Sequence, residues 1–197
     1  MEPSFKFVRV RDVHVPTRAN QGDAGMDFYV PNDLTVDDLI KCNTTTYVGS
    51  CSITDHIKVP SNEVYCLINE ADNLFCILIG PHATCVIPSG ICGILEPEAS
   101  MLQANDKSGV SSKKKLKVTA SIIDSPYTGE IHHVVFNTSN EPVIIDLGEK
   151  LVQYIHIPIY LTKPDEINMS EFEKLKTEKE LKSGRGSDGM GSGKETL

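Results

Sequence analysis

Ser121-Ile-Ile-Asp-Ser-Pro-Tyr-Thr-Gly-Glu130 is the stretch from which the fold of this chain is best predicted. Its flanks, Leu116–Ala120 and Ile131–Asn137, are rich in apolar and β-branched residues, which is typical of strands. Between them, Pro126 fixes its own φ and Gly129 permits a positive φ. We therefore expect a tight hairpin whose two arms are strands.

Asp124 and Tyr127 lie in this turn, where strand ends become loop and side chains are both fixed and accessible. A carboxylate there can hold and deprotonate a water molecule, and an aromatic ring can pack against a sugar. A solvated aspartate beside a packed tyrosine would explain the same two residues. Other segments of the chain are needed to decide between these alternatives.

The chain has 197 residues, which is enough for one sizeable domain with a substantial core. Its formal net charge of −8 argues against direct nucleic-acid binding and against a role at an anionic membrane surface. No segment has the length and apolarity of a transmembrane helix, and residues 1–6 do not resemble a signal peptide. We therefore expect a cytoplasmic protein.

All the cysteines fall between Cys42 and Cys92, and none forms a Cys-x-x-Cys pair. In a reducing compartment we expect buried free thiols rather than disulfides. Metal binding by Cys51 with His56, or by His82 with Cys85, is the alternative.

Strand-like segments alternate with Gly and Pro over most of the chain, which predicts an all-β fold. The further strand-like segments are Phe5–Val15, Phe28–Pro31, Leu78–Ile91, Val143–Ile145 and Leu151–Ile159. A short helix is expected at Thr35–Lys41, and a C-terminal helix at 170–182, where Ser170 and Glu173 form a capping box. The glycine-rich segment 184–194 lacks the flanking strand and helix of a dinucleotide-binding motif and is typical of a flexible arm.

Five segments, in this order along the chain, resemble the five motifs of the trimeric dUTP pyrophosphatases (dUTPases). They are Asp23-Ala-Gly-Met-Asp27, Lys107-Ser-Gly-Val110, Ala120–Glu130, Gly148-Glu-Lys-Leu-Val-Gln153 and Arg185-Gly-Ser-Asp-Gly-Met-Gly-Ser192. Each segment alone is weakly specific, but five in the family's order make coincidence implausible.

The resemblance implies an all-β, jelly-roll-like subunit that forms a homotrimer with its active sites at subunit interfaces. It implies a single β domain over residues 1–183, which ends in one short C-terminal helix, and a flexible glycine-rich arm at 184–197. Residues 31–76 exceed the family's usual connection by about forty residues and are expected to be an insertion. This insertion would be the natural surface for a protein partner.

By the same resemblance, the chain hydrolyses dUTP to dUMP and pyrophosphate with Mg²⁺. Asp124 would activate the attacking water, and Asp27 would hold waters around the bound Mg²⁺. Tyr127 would pack under the deoxyribose and exclude a 2′-hydroxyl. The other substrate-binding residues that the resemblance implies are Lys107, Ser108, Gly109, Gln153, Arg185, Met190 and Ser192.

The chain departs from the family pattern at several motif positions. Lys107 replaces the usual Arg, so a point charge stands in for a bidentate guanidinium. Ser121 replaces a usual Gly, and Met190 stands where the family has the Phe that stacks on uracil. The changes at Lys107 and Met190 favour one alternative, a nucleotide-gated regulatory protein on the same scaffold, while the retention of Asp27 and Asp124 opposes it. The other alternative is a dCTP deaminase of the same fold, which would not need an acid at Asp124.

Overall fold

The computed structural model describes residues 2–43, 46–50, 59–69, 71 and 73–183. Contacts divide the chain into two units, one from Met1 to Tyr160 and one that begins at Leu161. The described strands all belong to the first unit, and the second contains a helix. The expected boundary between the β domain and the arm, after residue 183, stays a prediction, because the arm at 184–197 lies outside the described residues.

Twelve strands form in the described part of the first unit. In chain order they are β1 (Ser4–Arg9), β2 (Met26–Tyr29), β3 (Thr46–Ser50), β4 (Val64–Ile68), β5 (Leu74–Ile79), β6 (Thr84–Glu96), β7 (Ser100–Asp106), β8 (Leu116–Val118), β9 (Ile122–Asp124), β10 (Glu130–Asn137), β11 (Val143–Asp146) and β12 (Lys150–Pro158). The helices are α1 (Val36–Cys42) and α2 (Met169–Ser183), and a π-helical turn covers Val110–Lys114.

The strands form three four-stranded sheets, ordered β1-β6-β10-β8, β11-β5-β4-β3 and β2-β12-β7-β9. β3 and β4 pair in parallel, and the other paired strands run antiparallel. This arrangement confirms the all-β, jelly-roll-like fold class that the sequence predicts.

One continuous core connects the three sheets. In β10, buried and partly exposed side chains alternate along the whole strand, as expected for a strand with one face on a core. Side chains from all three sheets are fully buried, among them Phe28, Ile77, Ile87, Leu102, Ile145 and Tyr154. The strands that carry the candidate site residues are therefore held by packing as well as by hydrogen bonds.

The two predicted flanking strands pair with each other, but the connection between them is longer than that of the tight hairpin expected around Asp124. β8 and β10 pair antiparallel, with Val118 opposite Val135, so both flanks are strands as predicted. Between them the chain also forms β9, which pairs with β7 in a different sheet. This strand has no local sequence signal, because its three residues are held by pairing with β7.

Both predicted helices are present. Thr35 caps α1 by accepting from the Asp38 N–H, as a capping box does. In α2 the expected cap is wrong, because the side-chain oxygen of Asn168 accepts from the Glu171 N–H at 3.0 Å and Ser170 lies inside the first turn. Asparagine is as strong an N-cap residue as serine, and its position sets the start of the helix. In the described part of the chain, no helix is long and apolar enough to span a membrane.

Residues 31–76 contain α1, β3, β4 and the start of β5. Leu39, Val64, Cys66 and Leu74 from this segment belong to the hydrophobic core. The segment is therefore built into the first unit, and its expected status as an insertion stays a prediction.

In the described part of the chain, Cys42, Cys66, Cys85 and Cys92 are free thiols. Cys66, Cys76 and Cys85 are buried, as predicted, while Cys42 and Cys92 are partly exposed. Burial raises the pKa of the Cys66 thiol to about 11. Cys51 and His56 lie outside the described residues.

Candidate active site

Asp27 in β2 is a buried carboxylate that contacts two lysines. Only 4% of its surface is exposed. Lys107 Nζ lies 2.9 and 3.1 Å from its two carboxylate oxygens, and Lys150 Nζ lies 3.1 Å from Oδ2. Burial alone would raise the pKa of Asp27, but the hydrogen bonds from Lys107 and Lys150 bring that pKa below its usual value. Asp27 is therefore charged and holds two cations side by side.

Strand register explains why these groups meet. Lys107 directly follows β7, and Lys150 begins β12, the strand between β2 and β7. In this sheet Asp27 lies opposite Gln153, which lies opposite Asn105. Directly opposed residues of antiparallel strands project to the same face, so Asp27 and Gln153 belong to one surface.

Gly25 makes room for the Gln153 side chain. The Gln153 Nε2 donates to the Asp106 carbonyl at 2.8 Å, which fixes the orientation of the amide. A Cβ at position 25 would lie 2.7 Å from Gln153 Oε1, closer than real Cβ contacts. The glycine two residues before Asp27 therefore allows the first and fourth motifs to pack against each other.

Ser108 and Gly109 follow Lys107 and are exposed. The Lys107 carbonyl accepts from the Ser111 N–H at 2.8 Å, and Val110 is buried, so this segment is anchored on both sides. A Cβ at Gly109 would meet no atom of the described chain within 4 Å. The space at Gly109, two residues after Lys107, is therefore open within the described chain.

Asp124 ends β9 opposite Met101 of β7, and its side chain is exposed. Within the described ranges, its carboxylate makes no hydrogen bond or ion pair. Its carbonyl accepts from the Tyr127 N–H at 3.0 Å, which closes the turn that contains Pro126. A carboxylate that is fixed through its backbone and keeps its oxygens free can accept a proton from a water molecule.

Tyr127 is 45% exposed, and its hydroxyl donates to the Glu130 carbonyl at 2.7 Å. The positive φ expected at Gly129 is wrong, because in the described chain such glycines are Gly22, Gly90 and Gly148. Gly129 is required for space instead, since a Cβ there would lie 2.7 Å from the Tyr127 hydroxyl. The reversal itself occurs earlier, in the turn closed by Asp124 and Tyr127.

Asp124 does not lie beside Asp27 within one chain. β2 and β9 are at opposite sides of the sheet β2-β12-β7-β9. Asp27 is aligned through Gln153 with Asn105, whereas Asp124 pairs with Met101, further along β7. With about 3.3 Å per residue and about 4.8 Å between strands, the two aspartates are about 13 Å apart along the strands and about 14 Å apart across them. The described part of one chain therefore does not gather all the predicted residues around one small substrate.

Three predicted residues, Arg185, Met190 and Ser192, lie outside the described residues. Their contributions to a site stay predictions.

Lys150 and Arg11 have roles that are not among the sequence-based predictions. Lys150 contacts Asp27, which raises the pKa of the lysine, and it lies 5.6 Å from the centre of the Tyr29 ring. The sequence feature that could have identified Lys150 is its position in the fourth motif, three residues before Gln153. Arg11 pairs with Asp38 and Glu130, and no sequence signal marks it because its partners are distant along the chain.

The described ranges contain no cluster of three or more His, Cys, Asp or Glu side chains that could hold a metal ion. Mg²⁺ is commonly held by one or two carboxylates together with waters and substrate phosphates. Asp27, whose two oxygens face lysines, fits a contact to metal-bound water better than direct ligation.

The sequence profile of the dUTPase family matches residues 76–189, which include Lys107, Asp124 and Gln153. The deoxyuridine 5′-triphosphate nucleotidohydrolase of Hydrogenobaculum sp. is 32% identical over 124 residues, which are 60% of this chain and 82% of that protein. The enzyme of the same name from Clostridioides difficile is 31% identical over 116 residues, which are 58% of this chain and 77% of that protein.

The fold also resembles a solved structure, the dUTPase of Staphylococcus bacteriophage 80alpha with dUpNHpp. The TM-score is 0.62, and the match covers 96% of this chain and 98% of the phage chain. The sequence identity is 18%, so this similarity concerns the fold.

Proposed function

This chain belongs to the dUTPase family and hydrolyses dUTP to dUMP and pyrophosphate, and we propose that the subunits of a homotrimer complete each active site together. The observation that supports a shared site is the separation of Asp124 from the group formed by Asp27, Lys107 and Gln153. An interface that brings the Asp124 turn of one subunit against Lys107 of the next would join the two halves. A head-to-tail contact of this kind closes into a ring, as a trimer requires.

The phosphate half of the site consists of Lys107, Ser108, Gly109 and Gln153, to which we add Lys150. On binding, the triphosphate takes over the lysine contacts that Asp27 makes in the free chain. The two Nζ groups then stabilise negative charge that develops as pyrophosphate leaves. Gln153 lies near the α-phosphate, held in orientation by its hydrogen bond to the Asp106 carbonyl.

Mg²⁺ is part of the same proposal. When bound to the triphosphate, it would neutralise phosphate charge and help to orient the α-phosphorus. Asp27 would accept hydrogen bonds from waters around the bound ion.

The nucleoside half of the site is the turn from Asp124 to Glu130. Asp124 takes the proton of the water whose oxygen attacks the α-phosphorus, and the bond to the pyrophosphate oxygen breaks. Tyr127 packs beneath the deoxyribose and fills the space that a 2′-hydroxyl would need. Backbone groups of the turn bind the uracil edge. Arg185, Met190 and Ser192 of the arm complete the site over phosphate and base.

Pyrophosphate release from dUTP, UTP, dCTP and dTTP, measured at equal concentrations with Mg²⁺, tests this function. We expect kcat/KM for dUTP to exceed the other values by at least about 10²-fold. dCTP presents the wrong hydrogen-bonding edge and leaves polar groups of the site unpaired, UTP carries the 2′-hydroxyl that Tyr127 excludes, and dTTP carries an additional methyl group on the base. An Asp124→Asn preparation controls for contaminating phosphatases. Comparable rates with all four nucleotides, or ammonia release from dCTP, would contradict the proposal.

The cytoplasmic location and a protein partner at residues 31–76 stay predictions. The partner prediction can be tested by a binding experiment. It would be supported if proteins bind the wild-type chain but not a chain altered at exposed positions of this segment.

A further inference from the structure

Arg11 links α1 to the turn that carries Asp124 and Tyr127. Its guanidinium donates from Nε to Glu130 Oε1 at 2.8 Å and from Nη2 to Glu130 Oε2 at 3.3 Å. The same group contacts both oxygens of Asp38 in α1, at 3.1 and 3.0 Å. One arginine therefore makes two bidentate contacts, a geometry that a lysine cannot reproduce.

The three side chains are mostly shielded from water. The exposed fractions of the Arg11, Asp38 and Glu130 side chains are 20%, 17% and 18%. Both carboxylates are anchored further, since Glu130 Oε1 accepts from the Gly90 N–H at 2.8 Å and Asp38 Oδ2 accepts from the Thr35 hydroxyl at 2.7 Å. Charge-assisted contacts in such a partly buried place are stronger than exposed ion pairs.

The network ends at the Tyr127 ring. Arg11 holds the Glu130 side chain, and the Glu130 carbonyl accepts from the Tyr127 hydroxyl at 2.7 Å. Gly129 lets the ring hydroxyl approach the backbone that closely. The position of the ring therefore depends on where Glu130 is held, by its pairing with Cys92 at the start of β10 and by the Arg11 contact to its side chain.

We propose that Arg11 and Asp38 are specificity-determining positioning residues, which hold the Tyr127 ring where it excludes a ribose 2′-hydroxyl. Neither residue touches the substrate. Asp38 orients Arg11, Arg11 fixes Glu130, and Glu130 fixes the ring. This inference rests on the proposed role of Tyr127 and adds α1, which lies in the segment 31–76, to the determinants of sugar selectivity.

Asp38→Asn tests the proposal, with kcat/KM measured for dUTP and for UTP. Asparagine keeps the size of the side chain but removes the charge that orients Arg11. We expect the dUTP-to-UTP ratio of kcat/KM to fall about three- to tenfold. Asp37→Asn is the matched control, because it removes an exposed charge from the neighbouring position of the same helix and should leave the ratio unchanged.

A purely structural role would predict a different result. Loss of folded protein lowers kcat/KM for both nucleotides by the same factor, so the ratio would stay constant. Arg11→Lys should lower the ratio in the same direction, and the double variant with Asp38→Asn should show no more than the larger single effect, because both changes break one network.

Tyr127→Ala separates failure of this inference from failure of the proposed function. If Tyr127→Ala lowers the ratio while Asp38→Asn and Arg11→Lys leave it unchanged, the network does not position the ring and the inference is wrong. If Tyr127→Ala itself leaves the ratio unchanged, the proposed role of the ring is wrong, and the inference fails with it.

Discussion

Two aspartates of this chain illustrate how surroundings determine what a carboxylate can do. Asp27 is buried and both its oxygens contact lysines, so it suits charge compensation and the holding of water. Asp124 is exposed and, in the described part of the chain, its carboxylate contacts no other group. The free carboxylate is the one suited to accept a proton, because its lone pairs are not engaged.

Asp124→Asn should therefore lower turnover of dUTP by about 10²- to 10⁴-fold, the usual effect of removing a general base. Folding should be preserved, because the side chain is exposed and makes no contact within the described residues. Steady-state kcat and thermal unfolding measure the two effects. Asp146→Asn, which changes an exposed aspartate at the end of another strand, is the control. Turnover near the wild-type rate in Asp124→Asn would refute the mechanism.

His133 carries a second prediction at this scale. It is fully buried, with Nδ1 3.1 Å from the Tyr154 hydroxyl, and burial lowers its pKa to about 4. The unfolded chain, with an ordinary histidine pKa of about 6.5, binds the proton first as the pH falls. Stability contributed by neutral His133 is thus present above about pH 6.5 and is lost as the pH falls toward 4.

The free energy of unfolding should fall by about 2 kcal/mol between pH 7 and pH 5 from this group alone. Denaturant unfolding at the two pH values measures it, and His133→Gln, which does not titrate, should show a smaller change. The pKa of Asp27 is lowered, so that carboxylate loses its contribution at lower pH and interferes little in this window. Equal changes in wild type and variant would contradict the assignment.

Helices and strands that carry a clear local sequence pattern, such as a capping residue or regular alternation, were predicted correctly. α1 begins at a capping threonine, and β10 alternates buried and exposed residues over its whole length. β9 has only three residues and exists because β7 pairs with it, so no local signal marks it. The cap of α2 was misplaced because two good capping residues, Asn168 and Ser170, stand close together.

The candidate site was predictable as a set of residue types but not as an arrangement. The motifs identified Asp27, Lys107, Asp124 and Gln153, and the structure shows which of them meet. The ion pair of Lys150 with Asp27 and the network of Arg11 join residues far apart in the sequence. Such contacts follow from strand register, which a single sequence specifies only indirectly.

The arm at residues 184–197 gives a prediction at the scale of an element. Its deletion should leave thermal unfolding of the first unit unchanged, because that unit, Met1–Tyr160, has its own core. kcat/KM for dUTP should fall by at least about 10²-fold, since the proposed phosphate contact of Arg185 is lost. Arg185→Ala in the full-length chain is the point control, and an unchanged kcat/KM after the deletion would exclude a catalytic arm.

At the scale of the whole molecule, a net charge of −8 opposes the approach of a triphosphate. Local positive charge must compensate, and Lys107 and Lys150, at the ends of the two central strands of the sheet β2-β12-β7-β9, provide it around Asp27 on the edge strand β2. Asp124 lies on the opposite edge strand, about 13 Å along the strands and about 14 Å across them from Asp27. The central claim is therefore that catalysis needs two subunits.

Mixing two inactive variants tests this claim most directly. Asp124→Asn subunits keep Lys107, and Lys107→Gln subunits keep Asp124, so each chain lacks one half of the site. One variant is isotope-labelled, so that mass measurement after exchange of equal amounts identifies the mixed trimers. A site shared between neighbours should then be intact in about one case in four, because each half is wild type with a probability of about one half. We predict recovery of about a quarter of the wild-type rate of pyrophosphate release. No recovery in proven mixed trimers would show that each chain builds its whole site alone, and would contradict the account.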